Sequence, residues 1–211
     1  MSSSSYALRS VALVLLVSLS TACAGFQGKD ALPLVDRAAL ASSPTAPARV
    51  YSKWSLQTSN ALYTDEIKIA AASIQKDRID KAIVATGCCT IVESRAEADV
   101  VLEGLAHDEN NPAALLGAVI TGASLYTIPS WIQINMHLSA KATAGSAEHA
   151  YDVRDSMLMV QWLPLIVVAP FKNPLQMEAR LVENVINTLI QGLQRDGLLQ
   201  TRAATPATAG Q

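Results

Sequence analysis

The sequence predicts an α+β fold, a two-layer sandwich in which two helices lie on one face of a mainly antiparallel sheet, in the order β-α-β-β-β-β-α. Three observations predict it. Apolar and polar residues alternate along 131–141, the strand period. Two segments, 65–85 and 174–195, carry apolar residues at helical spacing between recognisable start and stop signals. The remaining strand-like segments follow one another without intervening helices, the pattern of segregated rather than alternating layers.

The first strand covers 50–56, where Tyr51, Trp54 and Leu56 stand among polar residues. Thr64 is an N-cap for the first helix, with Asp65 and Glu66 at its positive end. Ile67, Ala70, Ala71, Ile74, Arg78, Ala82 and Ile83 recur along it, and Gly87 ends it. Residues 88–93 and 99–106 read as strands joined by a polar link at 94–98, with Gly104 as a strand end and Asp108-Glu109 as a turn. The clearest strand, 131–141, places Ile132, Ile134, Met136, Leu138 and Ala140 inward and Gln133, Asn135, His137, Ser139 and Lys141 outward. A flexible turn at 142–148 leads to its hairpin partner at 149–162. Asn173 then caps a helix with Pro174 at its first position, and Leu175, Ala179, Val182, Ile186, Leu189 and Leu193 run down one side to Gly197.

Composition narrows the class. Hydrophobic residues make up 50% and charged residues 16% of the 211, against about 25% charged in an ordinary soluble chain. Some apolar surface is therefore expected to meet lipid or a partner. A net charge of -2 supplies no basic stripe, so nucleic acid is excluded as a ligand.

The amino terminus is an address. A polar start with one arginine, Arg9, precedes the apolar run 11–19 and then Ser20-Thr21-Ala22-Cys23, the three regions of a secretory signal peptide. The run is shorter than the ~20 residues that span a bilayer. Its end resembles the lipobox of bacterial lipoproteins, with Ser20 standing where leucine is preferred. That resemblance implies cleavage between Ala22 and Cys23, acylation of Cys23, and, with Ala24 rather than aspartate following, anchorage at the periplasmic face of the outer membrane. Ordinary cleavage after Ala24 is the alternative. The chain thus divides into a signal peptide at 1–22, a lipidated disordered tether at 23–49, a folded domain at 50–199 and a disordered tail at 200–211. Ala98-Asp99-Val100-Val101-Leu102-Glu103-Gly104 resembles the strand after the first helix in periplasmic accessory lipoproteins of the transport-auxiliary, lipopolysaccharide-assembly and curli-secretion groups, which implies the same architecture. For the neighbours Cys88 and Cys89, buried free thiols are favoured over a vicinal disulfide.

Two uncharged stretches, 112–131 and 158–171, interrupt this domain, and Gly117, Gly122, Pro129, Pro164 and Pro170 argue against membrane spans. If the hairpin turns near Gly145, both stretches leave its same end. Leu115, Leu116, Val119, Ile120, Leu125, Ile128 and Trp131 from the first, and Trp162, Leu163, Leu165, Ile166 and Val167 from the second, are the expected contacts with a membrane or partner. The competing expectation is that both stretches fold back to complete the core. No zinc spacing, nucleophile elbow, phosphate loop or dinucleotide fingerprint is present, and no cofactor is implied. The sequence therefore reads as a non-catalytic, membrane-anchored accessory or scaffold protein whose partners are the membrane, through lipid on Cys23, and other envelope proteins or copies of itself. The alternatives are an oligomeric secretion or transport component with membrane-inserted segments, and a carrier of a lipidic ligand or an unrecognised envelope enzyme.

Overall fold

The computed structural model describes residues 22–40, 47–58, 64–108 and 112–199. Residues 1–21 of the expected signal peptide at 1–22 and the expected tail at 200–211 lie outside these residues. Along the chain come β1 (Cys23–Gln27), α1 (Arg37–Leu40), β2 (Ala48–Thr58), α2 (Asp65–Ala85), β3 (Cys89–Ile91), β4 (Val100–Asp108), α3 (Pro112–Ala123), β5 (Ser130–Ala144), β6 (Ala147–Gln161) and α4 (Pro174–Arg195). The strands form one six-stranded sheet in the order β1-β6-β5-β4-β2-β3. The α+β class is as predicted, but the sheet is mixed. β2 runs parallel to both β3 and β4, because α2 carries the chain back to the starting edge of β2 before either partner begins.

The described residues separate into two compact units, one of 22–31, 112–135 and 155–181 and the other of 32–40, 47–58, 64–108, 136–154 and 182–199. The second unit holds the core that the helical patterns foretold. Val50, Val100, Leu102, Ile79, Ile83 and Leu138 are fully buried there, as are Ile186, Leu189, Ile190 and Leu193 of α4. α2 starts and stops as predicted: the Ile67 N–H donates to Thr64 Oγ1 at 3.4 Å, and Gly87 takes a left-handed φ of 75° after the last turn. Only its second half is core, since Ile67, Ile69 and Ile74 are exposed while Ile79, Ala82 and Ile83 are buried. α4 is capped by Asn173 Oδ1, which accepts from the Leu175 N–H at 2.9 Å, yet Leu175 itself is exposed rather than part of the buried stripe.

Several expectations are corrected. The hairpin is longer than its pattern, with β5 and β6 extending through most of 142–148 to leave Gly145 and Ser146 as the turn. Gly145, at a φ of 60°, supplies the left-handed residue such a tight connection requires. Cys88 and Cys89 are joined as a vicinal disulfide, not held as free thiols, and both are buried. Gly104 is not a strand end. It sits within β4, directly opposite Trp54 in the parallel register, and the indole ring occupies the space a side chain would fill.

The motif aspartate Asp99 also finds a structural role. Its carboxylate accepts from Arg49 Nη2 at 2.8 Å, Arg49 Nε at 3.1 Å and the Arg49 backbone N–H at 3.0 Å, joining the starts of β2 and β4. The hydrogen bonds from Arg49 hold this carboxyl below the ordinary carboxylate range. A depressed folded-state pKa means the contribution is present above the unfolded value and lost as pH falls through the folded one. Asp99→Asn is therefore expected to lower the denaturant midpoint at neutral pH, with the difference from wild type closing in acid; an equal difference at both pH values would contradict the pairing.

Candidate functional site

The site begins with a strand that composition had assigned to a tether. Residues 23–27 form β1, which lies antiparallel on the end of β6, Cys23 opposite Gln161 and Gln27 opposite Met157. Small residues make this fit. Ala22 and Ala24 are completely buried, and the Ala22 carbonyl accepts from the Trp162 N–H at 3.0 Å. A Cβ on Gly25 would come within 2.9 Å of Met177 Cβ and 3.0 Å of Pro174 Cα, while the Gly25 N–H donates to the Lys172 carbonyl at 2.7 Å. Gly28 is equally confined, its hypothetical Cβ 2.7 Å from the Ser156 carbonyl carbon. The strand Cys23-Ala24-Gly25-Phe26-Gln27 and the Gly28 that follows it are thus built to lie close against their neighbours, and the signal that marks them is smallness at 22, 24, 25 and 28. Cys23 is half-buried at its start, and burial pushes its thiol above the ordinary value, with a hydrogen bond from Gln161 acting the other way.

The two uncharged stretches belong to the same unit as Cys23. The first forms α3, the loop after it and the beginning of β5; the second forms the end of β6 and a 3-10 turn at Leu163–Val167. They are tied together by the Leu163 N–H, which donates to the Tyr126 carbonyl at 2.8 Å. Tyr126 and Leu125 adopt left-handed φ values of 62° and 52°, a conformation costing a non-glycine residue roughly 1–2 kcal/mol. Bonds from their N–H groups to Thr121 and Gly122 hold the turn in place.

Most of the predicted contact residues are on the surface and not in the core. Leu116, Val119, Ile120, Leu125, Ile128, Trp131, Trp162, Leu163 and Val167 are exposed, with Trp131 at 68% and Val167 at 74%. Leu165 and Ile166 are intermediate, and the side chain of Leu115 lies outside the described residues. The pattern missed Val168, Phe171 (84% exposed) and Leu175, which are exposed in the same unit beyond the 3-10 turn. The expectation that both stretches complete the core is overturned for these side chains. A concentration of large exposed apolar groups in one unit is the usual mark of a surface that meets lipid or protein.

The second unit contains a cluster that the strand alternation misplaced. His137 was expected on the wet face, but it is buried, stacked on His107 with ring centroids 4.6 Å apart and bonded through Nε2 to Asp152 Oδ2 at 2.6 Å. The β4–β5 register sets the two histidines directly opposite each other, so each ring covers the other. Ser139 Oγ lies 3.2 Å from the same Nε2. A nucleophile relay needs serine and carboxylate on opposite ring nitrogens, so these three residue types do not form one here. The Asp152 carboxyl is held below its usual range by His137 and, secondarily, by Arg154. On the same hairpin Asp152 also pairs with Arg154 at 3.2 Å and Lys141 with Glu148 at 2.8 Å, whereas Asp155 is buried. Among the described residues, no group of three or more histidine, cysteine, aspartate or glutamate side chains is placed to hold a metal ion, and no helix is long and apolar enough to cross a membrane.

No protein-family model matches the chain, and neither does any curated protein. Among solved structures, the chain is similar to a PelC dodecamer from Paraburkholderia phytofirmans at 13% identity, covering 78% of this chain and 96% of that one with a TM-score of 0.34. It is also similar to a putative neuraminyllactose-binding hemagglutinin homolog from Helicobacter pylori, at 7% identity, 80% and 94% coverage and a TM-score of 0.41. A third likeness is to a Xanthomonas campestris protein of the DUF330 family model, at 12% identity, 74% and 91% coverage and a TM-score of 0.37.

Proposed function

We propose that this chain is a non-catalytic accessory protein of the bacterial envelope, anchored by acyl groups on Cys23 at the periplasmic face of the outer membrane and working through the apolar surface of the unit that contains that cysteine. One observation carries the reading. Cys23 faces Gln161, the residue immediately before Trp162 and the exposed apolar turn, so acyl chains on Cys23 emerge beside side chains that already favour lipid. Each buried methylene of such a chain contributes about 0.8 kcal/mol, and the adjoining side chains add to it.

On this reading the steps follow an order. Ala22 is completely buried and its carbonyl is bonded to Trp162, so cleavage before Cys23 takes place while β1 is still free of β6. Acylation belongs to the same stage, since burial raises the thiol pKa and so disfavours the reactive thiolate in the docked strand.

The test is metabolic labelling with radioactive palmitate. Wild type is expected to take up label and to stay in the membrane fraction through an alkaline carbonate wash, and Cys23→Ala to take up no label and to be released by that wash. Recovery of unlabelled protein still carrying Met1 from the cytosolic fraction would sink the proposal.

A further inference from the structure

We propose that the cavity between α3 and the beginning of β5 binds a sugar ring of a neutral glycan. The cavity measures about 530 Å³, within the range of small-ligand sites. Its floor is one face of β5, where Trp131, Gln133 and Asn135 follow one another at every second residue, about 7 Å apart. Its wall is the small-residue side of α3, formed by Ala113, Ala114 and Gly117.

The lining chemistry selects the ligand. Trp131 offers a broad, exposed apolar ring on which the C–H face of a pyranose can stack. Beside it are two amides that both donate and accept. Gln133 Nε2 donates to Asn135 Oδ1 at 3.0 Å, which fixes their mutual orientation and leaves Asn135 Nδ2 as a donor and Gln133 Oε1 as an acceptor for ring hydroxyls. None of the described residues lining the cavity is ionisable, so a charged ligand meets no counter-charge among them. An alkyl chain fits no better, since it would cover those amides without pairing them. A neutral sugar has one apolar face and a rim of hydroxyls, which matches both halves of the lining. This site does not depend on acylation of Cys23.

The experiment presents full-length protein with neutral tetrasaccharides of glucose, mannose and N-acetylglucosamine, read by saturation-transfer NMR and calorimetry. At least one is expected to bind, while a tetramer of galacturonic acid is not. Trp131→Ala is expected to weaken binding about tenfold, the loss of one stacking contact. Gly117→Leu is expected to do at least as much by filling the cavity: a Cβ at 117 meets Ser130 Cβ at an ordinary 3.5 Å, and a native circular dichroism spectrum is the check that the helix accepts the larger side chain. Cys23→Ala is expected to bind as wild type does, which separates failure of this inference from failure of the anchoring proposal. The inference is overturned if all three neutral sugars fail at about 10 mM, if binding survives both Trp131→Ala and Gly117→Leu, or if the anionic tetramer binds more tightly than the neutral ones.

Discussion

Gly104→Ala is expected to destabilise the protein by about 3 kcal/mol or more, at the upper end of the range for overpacked cores. A methyl group at this position would overlap Trp54 Cζ3 and lie 2.6 Å from Trp54 Cε3 and 2.8 Å from the Ser139 carbonyl oxygen. Neither neighbour gives way easily. The Trp54 side chain is buried at 8% exposure within β2, and Ser139 O is backbone in the adjoining strand, paired in register with Leu105. Thermal unfolding should shift down by roughly 10 °C, at 2–4 °C per kcal/mol for a chain of this size. The partner is identified by a double-mutant cycle. Trp54→Phe alone should cost little, because it removes an indole Nε1 that is buried without a hydrogen-bond partner. In the Gly104→Ala background the same change should restore stability by making room. Additive effects, or a Gly104→Ala protein that melts with wild type, would show that the ring does not occupy this space.

The second large effect is expected on membrane association and not on folding. Val167 and Phe171 are 74% and 84% exposed, so Val167→Asp combined with Phe171→Asp removes little from the folded state. If these side chains enter lipid, each contributes on the order of 1.5–3 kcal/mol when fully buried. Losing both should weaken vesicle binding on the order of a thousandfold, since every 1.4 kcal/mol is a factor of ten. The measurement belongs in the Cys23→Ala background, where acyl chains cannot mask the difference. Flotation with phosphatidylethanolamine–phosphatidylglycerol vesicles should recover the Cys23→Ala protein and not the triple variant. Equal flotation of the two would remove the apolar turn from the docking surface.

Much of the secondary structure was legible in the chain. Thr64 and Asn173 announced α2 and α4, Gly87 and Gly197 their ends, and strict alternation the hairpin of β5 and β6. The tightness of the turn at Gly145 was less legible, because residues 142–148 are polar and small on both sides of it. α3 was hidden for a different reason. Its residues are uncharged throughout and include two glycines, so no polar face contrasts with an apolar one, and helical periodicity has nothing to display. The apolar residues of the candidate site were identifiable by type and by their place beyond the hairpin, but composition did not distinguish a surface from a core.

What the sequence determined by itself was local: where helices are capped, where alternation calls for a strand, and which stretches are too apolar for an ordinary soluble face. These depend on residues a few positions apart, within reach of a single turn or pleat. Tertiary structure alone decided that residues 23–27 are a strand, that His137 is buried against His107, that Gly104 makes room for Trp54, and that Val167 and Phe171 face outward. In each case the deciding neighbour is brought close only by folding, as when Gln161 comes to lie opposite Cys23, and no pattern in the residues alongside records it.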